Sequence, residues 1–427
     1  MREGPANPSG RWTAIAIAIA AGAWLCYAGV KHGLAGHYAL SSNPEDWARA
    51  ARIEPANGEN WYRLGRYFQL DFDHADIPLA ISDYRRAVQL NPRSPYYKLD
   101  LASALEMAGD IGEADQFFRA AQADDPISAE VSWRYGNFLL RHERLPEAYA
   151  EIRRAGKVDP KIIPQAVSRA WRSDPDVQVL LGQVLPDTAE ADWDAIDYLT
   201  DAREATAALT VWNHLIARKQ AIEMKKTFPF IQMLIAQERY EDAGSVWREA
   251  TDLAGISSGA SNGGSLVFDG GFEKDITGGG FGWRQVDSPE SDFEFDTSVK
   301  HSGARSARIT FDGTQNSFYQ NLFQELLVTP GTRYRFQGYI RTDQISTESG
   351  MRFEIFDPKD KKSLDVLTPN ETGTQPWTLE ETDFTTGPST HLIRIQLTRM
   401  PSQRLDNRLS GTVWVDDVNV VRVASTR

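Results

Sequence analysis

The sequence predicts a multidomain chain, helical first and all-β afterwards. It has an N-terminal transmembrane helix, an α-helical solenoid of paired hairpins and a C-terminal β-sandwich. Three observations predict this order. Trp12 to Val30 is a run of 19 residues without a charge. Four positions recur at a spacing of 34 through the middle of the chain. After a Gly/Ser stretch, short runs of β-branched and aromatic residues alternate with Gly, Pro, Asp and Asn. A chain of 427 residues has room for two to three domains at roughly 150 residues each. Its 41% hydrophobic content is enough to bury cores.

The first element rests on length. Backbone amides in lipid must pair internally, so an uncharged run bounded by Arg11 and Lys31 reads as one spanning helix. Trp12, Trp24 and Tyr27 lie towards its ends, where amphipathic rings settle at the interface. The rival reading is a cleaved signal peptide, for which the basic start, Arg2 and Arg11, is weak and the apolar run long. The flanking charges barely orient the helix, and a short tail inside with the large remainder outside is the simpler topology. The segments are therefore a tail at 1–11 and a span at 12–30, in an inner or plasma membrane with the soluble part extracytoplasmic.

The second element rests on repetition. Ala80, Ala114 and Ala148 recur, as do Tyr84, Phe118 and Ile152, then Ala87, Ala121 and Ala155, and finally Pro92, Pro126 and Pro160. Small residues recur where two helices approach closely, large apolar ones where the second helix plugs the core, and proline where that helix has ended. The first helices carry Trp61, Leu64, Gly65 and Phe68, then Leu101, Ala102 and Leu105, then Tyr135, Gly136 and Leu139. About three extra residues fall near Asp71 to Pro78. These features resemble tetratricopeptide repeats, with the family's W-x2-L-G pattern at Trp61 to Gly65. The solenoid is expected over 43–254, with clear repeats at 57–160 and degenerate ones at 161–254. Stacked hairpins bury a continuous core and leave a groove, which in this family holds a protein partner or peptide. The alternative is a spacer.

Residues 255–265 read as a flexible Gly/Ser linker. Beyond them, 266–424 reads as a sandwich, with strands expected at Ala304 to Phe311, Tyr334 to Thr342, Met351 to Phe356, Thr378 to Phe384, Leu392 to Arg399 and Gly411 to Val423. The fragments LVFDGGFE at Leu266 to Glu273, GW at Gly282 and Trp283, and HSGARSARI at His301 to Ile309 occur in order. They are followed by YQ at Tyr319 and Gln320, VTPGTRYRFQGYIRT at Val328 to Thr342 and GTVWVDDVNV at Gly411 to Val420. The series resembles carbohydrate-binding modules of families 4 and 9, a galactose-binding-like jelly roll. The resemblance implies sugar recognition and a structural calcium ion between the first and last strands, held by Glu273 with Asp416 or Asp417; no other cofactor is implied.

Alternation supplies candidate sugar contacts. Tyr334, Phe336, Gly338 and Ile340 point one way on their strand, and Arg335, Gln337, Tyr339 and Arg341 the other. Arg394, Gln396 and Thr398 form a similar row beside Ile393, Ile395 and Leu397. If the two rows share a face, Gln337, Tyr339, Arg341, Arg394 and Gln396 are the ligand set; the plainer reading is a solvated sheet face.

Composition and motifs exclude other classes. A net charge of −13 without a basic run is unsuited to nucleic acid. The one cysteine, Cys26, lies in the apolar run, so the soluble part has no disulfide or thiolate site. None of the seven histidines forms a close metal-binding pair, and no H-E-x-x-H, G-x-S-x-G or P-loop occurs. Asp416 and Asp417, adjacent on a strand, are expected to point to opposite faces, which does not suit glycoside hydrolysis. The expectation is a non-catalytic scaffold of the cell envelope, docking a protein and recognising carbohydrate, by architecture in surface-polysaccharide assembly. The alternative is an interaction scaffold whose sandwich binds protein or nothing.

Overall fold

The computed structural model describes residues 8–41, 43–256 and 264–423. Parts of the expected tail and linker, residues 1–7 and 257–263, lie outside them. By contacts the chain forms two compact units, residues 1–194 and 195–427.

The first unit opens with α1 (Pro8–Ala39), whose Trp12–Ala39 portion is long and apolar enough to cross a membrane; a signal sequence would pass the same test. The helix outlasts the uncharged run because its last turns have a packing partner in α2 (Pro44–Ile53). Ala35 is buried at 1% exposure, and the His32 imidazole lies 2.8 Å from a Glu54 carboxylate oxygen. Arg63 donates to the carbonyl of Ala39, and Trp47 Nε1 donates to that of Ser41 at 2.7 Å.

Three antiparallel hairpins follow. Their first helices are α3 (Gly58–Leu70), α5 (Pro95–Met107) and α7 (Ala129–Arg141); their second are α4 (Ile77–Leu90), α6 (Ile111–Asp124) and α8 (Leu145–Val158). The second helices have 14 residues each and step by 34, ending just before the recurrent prolines. Asn91, Asp125 and Asp159 stand at the three C-caps. Ser94 and Ser128 cap α5 and α7 by accepting from the amides of Tyr97 and Val131. All nine recurrent small and bulky residues are buried. Glycine at 65 and 136 lets the plug approach: a Cβ would lie 2.7 Å from the Tyr84 ring at the first and 2.9 Å from Ile152 at the second. The three extra residues fall between α3 and α4, where a turn absorbs them.

Past Pro160 the repeat loosens into α9 (Ile163–Ser173), the single turn α10 (Val177–Val179), a π-helical turn at Leu180–Val184 and α11 (Ala189–Asp201). The contact boundary falls inside α11 rather than at the Gly/Ser stretch.

The second unit therefore holds helices as well as strands: α12 (Ala205–Ile216), α13 (Phe228–Ala236) and α14 (Tyr240–Leu253). The hairpin α13–α14 packs on the sandwich through glycines. Gly279 faces the Phe228 ring and Gly280 the Trp247 ring, each closely enough to leave no room for a Cβ. A Cβ at Gly244 would lie 2.7 Å from Leu327. Trp247 meets Phe268 and Phe281 edge-on, with centroids 5.4 and 6.1 Å away, and Tyr240 stacks on His391 at 4.9 Å.

The strands are β1 (Arg284–Gln285), β2 (Ser291–Asp296), β3 (Ser306–Asp312), β4 (Tyr319–Leu327), β5 (Arg333–Ile345), β6 (Arg352–Phe356), β7 (Asp365–Leu367), β8 (Gly373–Thr385), β9 (Leu392–Arg399) and β10 (Ser410–Arg422). They form two antiparallel sheets, ordered β1-β4-β9-β6-β7 and β2-β3-β10-β5-β8. The core between them takes Ile309, Leu322, Phe336, Phe353, Ile395, Val415 and their neighbours. Each of the six strands expected from sequence is present. Strand β4 was not among them, because its ladder with β9 shifts register between Tyr319 and Leu322 and Gln324 points inward, which hides the alternation.

Candidate functional site

The outer face of the β1-β4-β9-β6-β7 sheet concentrates polar groups that the fold itself leaves unsatisfied. Strand β9 is its centre. Ile393, Ile395 and Leu397 enter the core, so Arg394, Gln396 and Thr398 face outward. The register sets Phe323 and Glu325 of β4 opposite Gln396 and Arg394. On the other side it sets Arg352, Glu354 and Phe356 of β6 opposite Thr398, Gln396 and Arg394. Arg284 of β1 stands beside Phe323, and Asp365 of β7 beside Phe356.

These side chains crowd one another. Glu325, Glu354, Gln396 and Thr398 retain only 7, 6, 3 and 2% exposure although they sit on the outside of the sheet. Arg394 Nη2 lies 2.7 Å from Glu325 Oε1, and Arg284 Nη2 lies 3.3 Å from its Oε2. Gln396 Nε2 donates to Glu354 at 2.6 Å, and Lys361 pairs with the same carboxylate. The Lys361–Glu354 hydrogen bond raises the Lys361 ammonium above its ordinary range, while burial raises the Asp365 carboxyl. Cations cover both rings. The Arg394 guanidinium is 4.4 Å from the Phe323 centroid, Arg284 is 5.6 Å from it, and Lys361 is 4.7 Å from that of Phe356. Among the described residues, the buried Nε atoms of Arg284, Arg352 and Arg394 and the Thr398 hydroxyl have no hydrogen-bond partner. Native folds rarely bury polar atoms without a partner, so a cluster of them on one face marks a place for a ligand or water.

The single face expected for the five candidate sugar contacts is corrected here. Arg394 and Gln396 lie on this face, but Gln337, Tyr339 and Arg341 belong to β5, on the outer face of the other sheet. Alternation tells inside from outside but not which sheet a strand joins, and β8 and β9, consecutive in sequence, join different ones. The β5 row already has partners. Gln337 donates to Glu381 at 3.2 Å, and the Arg341 guanidinium sits 5.6 Å from the Trp414 centroid. The His301 ring stacks on Tyr339 with centroids 3.5 Å apart. Sequence alternation could have found Arg352 and Glu354, since their strand was expected; Phe323 and Glu325 went with the unrecognised β4.

The acidic set does come together. A register shift in β10 beyond Asp416, with φ +48° at Asp417, turns both aspartates toward the loop at 301–304 instead of to opposite faces. Asp416 accepts from the amides of His301 at 2.8 Å and Ser302 at 3.1 Å. Asp417 accepts from the Ser302 hydroxyl at 2.8 Å, and its other oxygen lies 2.6 Å from His301 Nδ1. Glu273 accepts from the Ala304 amide at 2.8 Å. A Cβ built on Gly271 would lie 3.6–3.9 Å from an oxygen of each aspartate and from Cγ of Glu273. Burial pushes the Asp416 carboxyl up to about 6. Three carboxylates around one glycine suit a hard cation in charge and donor type. Among the described residues, however, no group of three or more His, Cys, Asp and Glu is already set as a metal site.

The helical array carries a charged row of its own. Arg66, Asp100 and Arg134 occupy one position in α3, α5 and α7. Asp100 accepts from the Tyr62 hydroxyl at 2.7 Å, pairs with Arg134 at 2.7 Å and faces Arg66 at 3.9 Å.

Comparison with known proteins fits this division. Residues 264–402 match the family model described as a carbohydrate binding domain. The small glutamine-rich tetratricopeptide repeat-containing protein 2 of Mycosarcoma maydis is 32% identical over 85 residues, 20% of this chain. The match spans 24% of the length of that curated relative. Among solved structures, YrrB, described as a TPR protein with an unusual peptide-binding site, aligns at 13% identity and a TM-score of 0.27 over 49% of this chain and 93% of its own. The CBM22-1 xylan-binding domain from Paenibacillus barcinonensis Xyn10C aligns at 15% and 0.26, over 36% and 93%. The chain thus combines a tetratricopeptide array with a C-terminal module of the carbohydrate-binding type, the pairing that the sequence resemblances imply.

Proposed function

We propose that this chain is a non-catalytic scaffold, anchored by α1, that docks a protein on its helical array and recognises carbohydrate on the outer face of the β1-β4-β9-β6-β7 sheet. The supporting observation is the set of buried, unpartnered polar atoms on that face. Arginine, glutamine and carboxylate side chains there offer both donors and acceptors to sugar hydroxyls. The soluble part lies outside the cytoplasm, and an anchored chain joining a protein-docking array to a sugar-binding module suits surface-polysaccharide assembly in a cell envelope.

The test is a glycan array on the full chain in detergent. Gln396→Ala is expected to weaken the bound sugar about tenfold or more, the loss that goes with about 1.4 kcal/mol. Gln337→Ala, on the other sheet, is expected to leave binding unchanged. Failure to bind any sugar, with or without calcium, would abandon this reading in favour of a purely structural interaction scaffold.

Calcium belongs to the same proposal. Glu273, Asp416 and Asp417 would hold the ion, which would keep Asp416 ionised and tie the first segment of the sandwich to its last strand. Millimolar calcium is expected to raise the melting temperature of the C-terminal unit by several degrees over a sample in chelator. Superimposable melts would leave these carboxylates as a hydrogen-bonded clasp.

A further inference from the structure

We infer that the glycan recognised on this face is acidic, with a sugar carboxylate seated between Arg352 and Thr398. The inference rests on the proposed sugar-binding role of the face and specifies its ligand.

A neutral pyranose is commonly held by stacking on a bare aromatic ring, and the face has no such ring at its centre. Phe323 lies under Arg284 and Arg394, and Phe356 under Lys361. What the face offers instead is cationic. Arg284, Arg352, Lys361 and Arg394 stand against Glu325, Glu354 and Asp365, and every one of those carboxylates already has a cation. Arg352 is the cation left over: among the described residues its side chain has no ion pair, and its Nε is buried without a partner.

Directly across the ladder from Arg352 stands Thr398, with its hydroxyl also buried and unpartnered. Side chains opposite one another on a sheet have Cβ atoms about 5 Å apart, so a guanidinium and a hydroxyl donor serve one small space. A carboxylate answers both: it accepts from the guanidinium fork and from the hydroxyl, and it supplies the charge that Arg352 lacks. Uronic acids carry that group on the sugar ring, so a uronate-containing polysaccharide is the ligand class.

The test compares full-length protein in detergent binding oligogalacturonate, a sulfated oligosaccharide and neutral xylo-oligosaccharide of equal length, by calorimetry at two salt concentrations. The acidic uronate is expected to bind about tenfold tighter than the neutral chain, with a preference that shrinks in high salt. Arg352→Gln is expected to abolish the preference, bringing uronate affinity down to that of the neutral chain. Thr398→Val, which keeps the side-chain volume, is expected to reduce it in the same direction. Neutral and uronate chains bound equally well by the wild type, or a preference untouched in both variants, would overturn the acidic subsite while leaving sugar binding on the face intact. Sulfated sugar bound as tightly as uronate would overturn the carboxylate assignment. Absence of binding to all three would overturn both the subsite and the reading beneath it.

Discussion

Gly280→Val is expected to destabilise the C-terminal unit by about 3–5 kcal/mol, the sum of left-handed backbone strain and overpacking. Gly280 has φ +59°, a conformation that β-branched residues strongly resist. Its missing Cβ is also what allows the Trp247 ring of α14 to lie against the chain. A valine must distort the turn and push the indole away from Phe268 and Phe281, its edge-on neighbours. Gly278 supplies the control. It too has positive φ, at +78°, but its Cβ would meet open space, so Gly278→Ala should cost only the backbone share, about 1–2 kcal/mol. Thermal unfolding of the full chain, followed through the transition of its C-terminal unit, separates the two. A Gly280→Val protein that melts with wild type would show that the hairpin does not rest on the sandwich.

Phe118→Ala should cost the N-terminal unit a similar amount, about 3–5 kcal/mol, through lost burial and an unfilled cavity. Phe118 is the bulky residue of α6 that plugs the array. It keeps 2% exposure and meets Phe138 at 4.8 Å and Tyr135 at 5.6 Å between centroids. The loss should appear as an earlier fall in helical circular dichroism. Phe72, 99% exposed in the turn between α3 and α4, is the matched comparison. Phe72→Ala should stay within about 0.5 kcal/mol, as surface replacements do. Equal effects from the two phenylalanines would refute the assignment of the 34-residue period to a packed core.

How far the sequence revealed this molecule follows from which signals are local. Helix ends at Leu90, Asp124 and Val158 were legible because proline and its preceding Asn or Asp act within a few residues. Strand β9 was legible to the residue because Ile393, Ile395 and Leu397 alternate cleanly with polar neighbours. The sugar face was only half legible. Arg394 and Gln396 could be read as outward, but their companions depend on strand pairing between residues far apart in sequence, which no local pattern encodes. The docking of α13–α14 was hidden for the same reason. Only the fold shows that Gly279 and Gly280 make room for Phe228 and Trp247.

The close joint between α1 and the first repeat has a mechanical consequence. With Ala35 buried, His32 held at Glu54 and the carbonyl of Ala39 gripped by Arg63, the end of α1 is fastened to the elements that follow it. A rod gripped at its root behaves as a lever. If Trp12–Ala39 spans a bilayer, as proposed above, a lean of the rod would pass to the first hairpins, and a partner seated on them would meet it as a change of angle.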